Sequence, residues 1–378
     1  MTKTINGTEV LYCTKCVISN QRPRITFDEK GVCSACQHAE RKKEYTDWAK
    51  RKDELCELLD KYRRKDGSYD VVVPCSGGKD SAYIAHQLKH KYGMHPLTVT
   101  FSPHIYTDIG KQNYDNFIKS GFDNIFMNPD GKIHRQVTRL AFEKMGDPFQ
   151  PFIYGVKAFP LHIAVKYRIP LVMYAEDGEV EYGGETRNAD KSTINVSNDM
   201  TPTYFSGFAP EYWTKYGMKL SDLQCYMLPD QAELEKVKVD YRYFAYYTKW
   251  IPQENYYYAC KYTGFRPNLT RSEGTYSKYA SLDDRLDGIH YYLAFIKFGI
   301  GRATSDAAHE IRDGHLTREE GVALVKKYDG EFPKKHFKEC LEYMDITEEH
   351  FWKVIDGFRL PHIWKKQKDE WKLKQQVS

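Results

Sequence analysis

The sequence predicts an α/β protein with a doubly wound, mostly parallel sheet, an N-terminal zinc-ribbon module and a C-terminal helical part. Three observations predict this class: β-branched runs alternate with helical patterns, two Cys-x2-Cys pairs lie near the N-terminus, and aromatic helical segments follow residue 228. Strands separated by helices favour parallel pairing. The predicted units are a cysteine-knuckle module, a linking helix, an α/β domain and an aromatic-rich helical part, over residues 1–45, 46–68, 69–228 and 229–378.

The first unit is defined by four cysteines. Cys13 and Cys16 form one pair, and Cys33 and Cys36 form a second pair sixteen residues later. This spacing is typical of a closed tetrahedral zinc site with a structural role. About 45 residues bury little core, so a metal would supply folding free energy. Unmetallated thiols or a redox pair are the alternatives. The other five cysteines are scattered, and we expect small buried apolar side chains there.

A glycine-rich loop at residues 76–81 is the main candidate ligand site of the predicted α/β domain. The short β-branched run 70–75 leads into Ser-Gly-Gly-Lys-Asp-Ser and then an apolar-periodic helix. A strand, a glycine turn and a helix N-terminus together form an anion site, in which glycines admit backbone N–H groups, serines donate hydroxyls and lysine adds positive charge. The Walker A spacing is absent. The alternative is a purely structural glycine turn between two core elements. The candidate phosphate-binding residues are Ser76, Gly77, Gly78, Lys79, Asp80 and Ser81.

This hexapeptide after a hydrophobic strand resembles the loop of the PP-loop ATP pyrophosphatases (the adenine nucleotide alpha hydrolase-like fold). The resemblance implies ATP cleavage between the α and β phosphates, with Lys79 and Asp80 in catalytic positions. It also implies that the end of the next strand, at Val99, Thr100 and Phe101, flanks the adenine base.

An acidic, glycine-rich loop follows the predicted strand 169–174. Acids at the C-terminal end of a strand near a phosphate site suit Mg²⁺ shared with nucleotide oxygens, and Glu176 and Asp177 are our preferred catalytic pair. A solvated acidic loop is the alternative. Glu179 and Tyr182 in the same loop are candidate substrate-binding residues.

Two residues of a predicted loop before the helix 160–167 are further candidates. Gly155 is assigned to the phosphates and Lys157 to the activated carbonyl of the substrate, with a plain helix start as the alternative. Residues 190–219 read as an inserted loop or lid.

The C-terminal part offers cationic candidates. The loop 263–287 is rich in Arg, Ser, Thr and Asp, and Arg271 and Lys278 within it suit a carboxylate or pyrophosphate. Arg302 stands beside a predicted helix N-terminus and is a candidate anion ligand, with a surface ion pair as the alternative. The basic tail after Pro361 predicts an exposed terminal helix.

Nearly the whole chain resembles the N-acetyl sugar amidotransferases of bacterial surface-polysaccharide and flagellar-glycan biosynthesis. The carrying segments are the two cysteine knuckles with residues 22–23, 27–28 and 31–33, the loop 74–81, the stretch 176–184 and the stretch 277–304. The resemblance implies conversion of an acetamido group to an acetamidino group, with ATP, Mg²⁺ and ammonia. The sugar is left open between a UDP-linked diacetamido-mannuronate and a nonulosonate.

The ammonia needs a source outside this chain. No glutaminase module is visible, and Thr2 stands where an N-terminal nucleophile amidotransferase would expose a cysteine. The resemblance implies separate subunits like the glutaminase and cyclase-like pair of imidazole glycerol phosphate synthase.

Composition limits the remaining classes. Lys and Arg total 56 against 52 Asp and Glu, a net charge of +4 that argues against a dedicated nucleic-acid binder. We expect a cytoplasmic protein, because no apolar run approaches a membrane span or a signal peptide. The rivals are a tRNA-thiolating PP-loop sulfurtransferase and a non-enzymatic zinc adaptor that binds nucleotide. The sulfurtransferase would need catalytic cysteines or an iron–sulfur cluster, and a basic groove for RNA. The 30 tyrosines concentrate after the predicted sheet, which suggests an aromatic cap that mostly packs.

Overall fold

A five-stranded parallel sheet forms the centre of the molecule. The computed structural model describes residues 9–176, 181, 183–184, 186 and 189–378. The sheet order is β3-β2-β1-β4-β5, and every neighbouring pair is parallel. The strands are β1 Val71–Pro74, β2 Pro96–Phe101, β3 Asn124–Met127, β4 Leu171–Tyr174 and β5 Asp240–Tyr243. In such a sheet the strand order reverses between β1 and β4, and ligands bind outside the strand ends at this switch point.

Successive apolar residues of the central strands point to opposite faces of the sheet, and both faces are buried. Val72 faces one core with Val172, while Val71 and Val73 face the other. Because each strand is buried on both sides, its sequence is a continuous apolar run. The fold class predicted from the sequence is therefore confirmed.

Helices cover the two faces and build the C-terminal part. The helices before the last sheet strand are α1 Ser34–Tyr45, α2 Trp48–Tyr62, α3 Lys79–His86, α4 Asp108–Lys119, α5 Gly131–Met145, α6 Gln150–Tyr167, α7 Val196–Tyr204 and α8 Gln231–Val237. The later ones are α9 Pro252–Tyr262, α10 Asp287–Phe298, α11 Arg302–Asp313, α12 Arg318–Tyr328, α13 Phe337–Met344 and α14 Glu348–Asp356. A π-helical turn Gln87–Lys91 continues α3, and 3₁₀ turns span Pro210–Tyr216, Leu220–Tyr226 and Phe244–Tyr246.

The structure corrects several predicted elements. β5 lies beyond residue 228, so the sheet extends past the predicted end of the α/β domain. The tail is an antiparallel hairpin, β6 Trp364–Gln367 and β7 Glu370–Leu373, rather than a helix. In β7, Trp371 and Leu373 alternate with the exposed Glu370 and Lys372, which is the period of two that a strand shows.

Two further differences concern helix bounds. The linking helix is preceded by α1, and Asp47 begins α2 as an N-cap whose side chain accepts from Lys50 N. The predicted loop before residue 160 is already helical, since α6 begins at Gln150 and Pro151 fits its first turn. Residues 190–219, predicted as an inserted loop or lid, contain α7 and a 3₁₀ turn, and Met200, Phe205 and Trp213 are fully buried in the core of the sheet.

The N-terminal module packs against the C-terminal helices. The four cysteines share one apolar cluster with Ile300, Ala307 and Ala308 of the α10–α11 region and Val325 of α12. Gly183, at φ +87°, lies so close to Ile25 that a Cβ there would approach the Ile25 side chain to 3.0 Å. The module therefore also contacts the loop that follows β4.

Candidate active site

The predicted phosphate-binding loop, residues 76–81, is called the phosphate loop below. It lies at the carboxyl end of β1, between β2 and β4. Gly77 has φ +87°, and a Cβ there would lie 2.7 Å from the Tyr114 backbone, so only glycine fits this turn. Gly78 caps α3, whose first-turn N–H groups are left for a ligand. Lys79 and Asp80 form an ion pair, and Asn255 of α9 donates to Asp80 over 3.0 Å. The loop therefore presents backbone donors and a lysine at the switch point of the sheet.

A single cavity of about 860 Å³ contains this loop. The cavity has a third wall besides the sheet and the C-terminal helices, because Arg22, Pro23 and Arg24 of the N-terminal module line it. Its size lies in the upper part of the range for small-molecule sites. Of the residues predicted from the sequence, those lining the cavity are Ser76, Gly77, Gly78, Lys79, Asp80, Ser81, Val99, Thr100, Phe101, Lys157, Glu176 and Arg302.

Asp283 lies against the phosphate loop. Its carboxylate accepts a hydrogen bond from Ser76, and a Cβ on Gly110 would meet the Asp283 Cα at 2.5 Å. Burial and the neighbouring Asp287 carboxylate raise the pKa of Asp283 to about 6. Carboxylates next to a phosphate site would repel it unless a cation lay between them. Glu176 and Asp283 both line the cavity, and carboxylate oxygens are the ligands that Mg²⁺ takes beside phosphate oxygens.

Lys157 lies in a pocket of tyrosines. Its Nζ is 3.9 Å from the Tyr204 ring centroid and 4.3 Å from that of Tyr174, and it donates to the Tyr241 hydroxyl over 3.2 Å. Burial lowers the pKa of Lys157 to about 8, and the attraction of Glu176 opposes this. The side chain therefore presents a weakly solvated cation to the cavity.

The end of β2 forms the buried side of the cavity. The Thr100 hydroxyl donates to the Cys75 carbonyl, which ties this strand to the start of the phosphate loop. Gly155 does not line the cavity. A Cβ at this position would lie 2.4 Å from the Phe101 ring, so the glycine lets α6 pack directly on β2.

The three cations predicted in the C-terminal part have different surroundings. Arg302 pairs with Asp306 over 2.9 Å and lies over the Tyr291 ring, within the cavity lining. Arg271 lies outside that lining and is held by Glu331 through two hydrogen bonds of 2.6 and 2.8 Å. Lys278 is exposed and also lies outside the lining. Arg302 therefore shares the cavity with the glycine loop, whereas Arg271 and Lys278 do not.

The cysteine cluster has the geometry of a metal centre. The four Sγ atoms lie within 4.8 Å of one another, with 3.9 Å between Cys13 and Cys36 and 3.7 Å between Cys16 and Cys33. A tetrahedral ion with bonds of about 2.3 Å separates its sulfur ligands by about 3.8 Å. The buried Arg312 guanidinium lies near three of these sulfurs, and it donates to the Glu181 carbonyl over 3.0 Å. This positive charge offsets the excess negative charge of a four-thiolate site.

Some predicted residues lie outside the described part of the chain, and others were missed. Asp177, Glu179 and Tyr182 belong to the first group. Sequence reasoning gave no role to Asp283 or His290, both of which line the cavity. Asp283 and Asp284 belong to a polar loop of the sequence, but nothing in the sequence indicates that this loop contacts the phosphate loop, which lies far upstream.

The parallel strand order and the glycine loop that leads from β1 into α3 agree with the fold expected from the sequence resemblance. Residues 273–378 match the family model described as LPS biosynthesis protein WbpG-like, C-terminal domain. This match covers the C-terminal part of the chain, from within the polar loop before α10 to the last residue.

Solved structures add only distant similarities. The NH3-dependent NAD synthetase from Campylobacter jejuni is 14% identical with a TM-score of 0.27, over 51% of this chain and 95% of that one. The U34-tRNA thiolase NcsA from Methanococcus maripaludis, which holds a [4Fe-4S] cluster, is 12% identical with a TM-score of 0.31, over 81% and 86%. No curated protein matches the chain. Within the described ranges, every helix is too short or too polar to span a membrane.

Proposed function

We propose that this protein is an ATP-dependent amidotransferase that converts an acetamido group of a bacterial surface sugar into an acetamidino group. The observation that carries the proposal is the shared cavity. One wall is a phosphate loop of the ATP pyrophosphatase class, and another is formed by a domain of a lipopolysaccharide biosynthesis family. A nucleotide and a sugar would meet in this space.

The chemistry suits the available groups. The amide oxygen attacks the α-phosphorus of ATP, the bond to the β-phosphate breaks, and pyrophosphate leaves. Ammonia then adds at the amide carbon, and the carbon–oxygen bond breaks to release AMP. Backbone N–H groups at Gly77 and Gly78, with Lys79, hold the departing pyrophosphate. Mg²⁺, held by Glu176 with Asp177 or Asp283, would neutralise part of the phosphate charge.

The remaining cations are assigned to the sugar. Lys157 and Arg302 line the same cavity and suit a carboxylate or diphosphate on the substrate. The four-cysteine centre is assigned to zinc with a structural role, since all four ligand positions are filled by protein. We place the reaction in the cytoplasm, with ammonia delivered by separate glutaminase and cyclase-like subunits.

Sulfur transfer is less well supported by the cavity. Cys75 lines it, but burial raises the pKa of this thiol to about 12, which disfavours the thiolate that a sulfur carrier needs. Cys225 is half-buried and lies outside the cavity lining, so it makes no pair with Cys75.

Incubation with ATP, ammonium and candidate diacetamido sugars tests the proposal. Mass spectrometry of the sugar should show replacement of the acetamido oxygen by NH, with AMP formed in equal amount. Lys79→Ala should abolish both products while the metal content stays unchanged. Lys91→Ala, an exposed lysine beyond α3, is the matched control. Absence of any such product from UDP-linked and free diacetamido sugars would reject the proposal.

The ammonia source has its own test. Glutamine should support turnover only when both partner subunits are present, whereas ammonium salts should support it without them. Equal glutamine-dependent turnover after omission of both partners would contradict this assignment.

A further inference from the structure

A half-buried histidine–aspartate pair lies at the edge of the cavity. His290 of α10 contacts Asp147, which precedes α6, through Nδ1 and Oδ1 at 2.8 Å. His290 lines the cavity, whereas Asp147 does not. Since Nδ1 is engaged with the carboxylate, Nε2 is the ring nitrogen that remains for a ligand. The two residues come from different parts of the chain, so the pairing is a product of the fold.

Other contacts fix both members of the pair. The Phe149 backbone N–H donates to the same Asp147 oxygen over 3.0 Å, and the Phe149 ring lies 4.8 Å from the imidazole. Burial acts against ionisation of Asp147, but His290 and Lys297 outweigh it and lower the pKa of Asp147 to about 2. Asp147 is therefore a carboxylate at all working pH values, and it holds the imidazole in one orientation.

The pair lies beside the other polar groups of the C-terminal wall. Asp287 precedes His290 by one helical turn on α10, so the two share a face, and both line the cavity with Arg302. One oxygen of Asp287 is buried without a hydrogen-bond partner among the described residues. The charged groups that act on His290 are Asp147, Asp287 and Lys297. The two carboxylates outweigh burial and the lysine, so the pKa of His290 is raised.

We propose that His290 is the acid–base residue of the ammonia step and that Asp147 positions it. This inference rests on the proposed function. When ammonia adds to the adenylated amide carbon, the new C–N bond leaves a positive charge and a surplus proton on the incoming nitrogen. Neutral His290 accepts that proton at Nε2, and the electron pair it frees on the nitrogen helps to expel AMP. No such transfer is needed while the amide oxygen attacks ATP, so His290 acts only in the second half of the reaction.

A partial reaction separates the two halves. Exchange of labelled pyrophosphate into ATP, with the diacetamido sugar present and ammonia absent, reports adenylation alone. His290→Gln should retain this exchange within about threefold, and should lose acetamidino formation by about 10²–10⁴-fold, the range for a general base. The retained exchange also shows that the variant is folded. His350→Gln removes a comparable pair with Glu143 outside the cavity and should change neither rate.

A second variant tests the role of Asp147. Since the carboxylate raises the pKa of His290, Asp147→Asn should lower it, and the acid limb of the ammonia step should move to lower pH. The rates are compared at constant concentration of neutral ammonia, so that ionisation of ammonium does not contribute. A merely structural role for Asp147 would lower the rate without moving this limb.

The outcomes are distinct. Sugar-dependent exchange in the wild type, with both rates lost equally or neither lost in His290→Gln, would overturn the role of His290 alone. His309 is a second histidine that lines the cavity, and it pairs with Asp313 at 3.2 Å. Loss of acetamidino formation with retained exchange in His309→Gln, and not in His290→Gln, would also overturn the role of His290. Absence of sugar-dependent exchange in the wild type would refute the proposed function itself, and the role of His290 with it.

Discussion

Replacement of Lys157 by methionine is expected to stabilise the fold at neutral pH and to remove a pH dependence of stability. Burial holds the pKa of this lysine near 8, against the usual 10.5 that the unfolded chain retains. Between these two values the unfolded state binds more protons than the native state, so the free energy of unfolding rises with pH in this window. Below pH 8 the native state bears the full cost of the buried charge.

The magnitude follows from the two pKa values. At about 1.4 kcal/mol per pKa unit, the difference between 10.5 and about 8 corresponds to about 3 kcal/mol. The contacts with the Tyr174 and Tyr204 rings stabilise the cation by about 0.5–1 kcal/mol each and reduce this cost. The methionine variant should therefore be more stable by about 2 kcal/mol at pH 7, and the gain should vanish near pH 10.5.

Urea unfolding from pH 7 to 10.5 measures this difference. Other titrating groups cancel when the variant is compared with the wild type at each pH. Lys166→Met, an exposed lysine on the same helix, should give no pH-dependent difference. The reasoning about Lys157 would be refuted by a stability difference that is independent of pH, or by one that grows as the pH rises.

Three more variants test the assignments of the site. Gly155→Ala should destabilise the fold by about 1–3 kcal/mol in urea unfolding, because its Cβ would lie 2.4 Å from the Phe101 ring; unchanged stability would contradict the direct packing of α6 on β2. Cys33→Ser should release the bound metal, as measured by atomic absorption. Turnover should fall as well, because residues 22–24 of the same module line the cavity. Full activity without metal would show that this wall is dispensable. Arg271→Ala should leave KM for ATP and sugar unchanged and lower stability by about 1 kcal/mol or less, and a large rise in KM would restore its predicted substrate role.

Much of the fold could be predicted because its signals are local. The strand 71–74 and the glycine loop are adjacent in sequence, and the two cysteine pairs carry their own spacing. β5 escaped prediction because its residues, Asp-Tyr-Arg-Tyr, have no apolar run, and its tyrosines were read as part of a helical cap. Only pairing with β4 identifies them as a strand.

The site was predictable on one side only. The phosphate loop supplies its own ligands within six residues, so the motif identifies them. The opposite wall is assembled from single residues such as Asp283 and His290, whose sequence neighbours carry no motif. Gly155 shows the converse error, because a glycine near a nucleotide site was read as a phosphate contact when the Phe101 ring requires it.

The three-walled cavity has a consequence for the making of the protein. Residues 22–24 and residues 302–315 line the same space, with the phosphate loop between them in sequence. A nascent or truncated chain that has folded only its sheet would therefore have the phosphate loop but not the cavity walls formed by the N-terminal module and the C-terminal helices. Such a fragment would lack two of the three walls of the cavity, so the site forms only when both ends of the chain have folded onto the sheet.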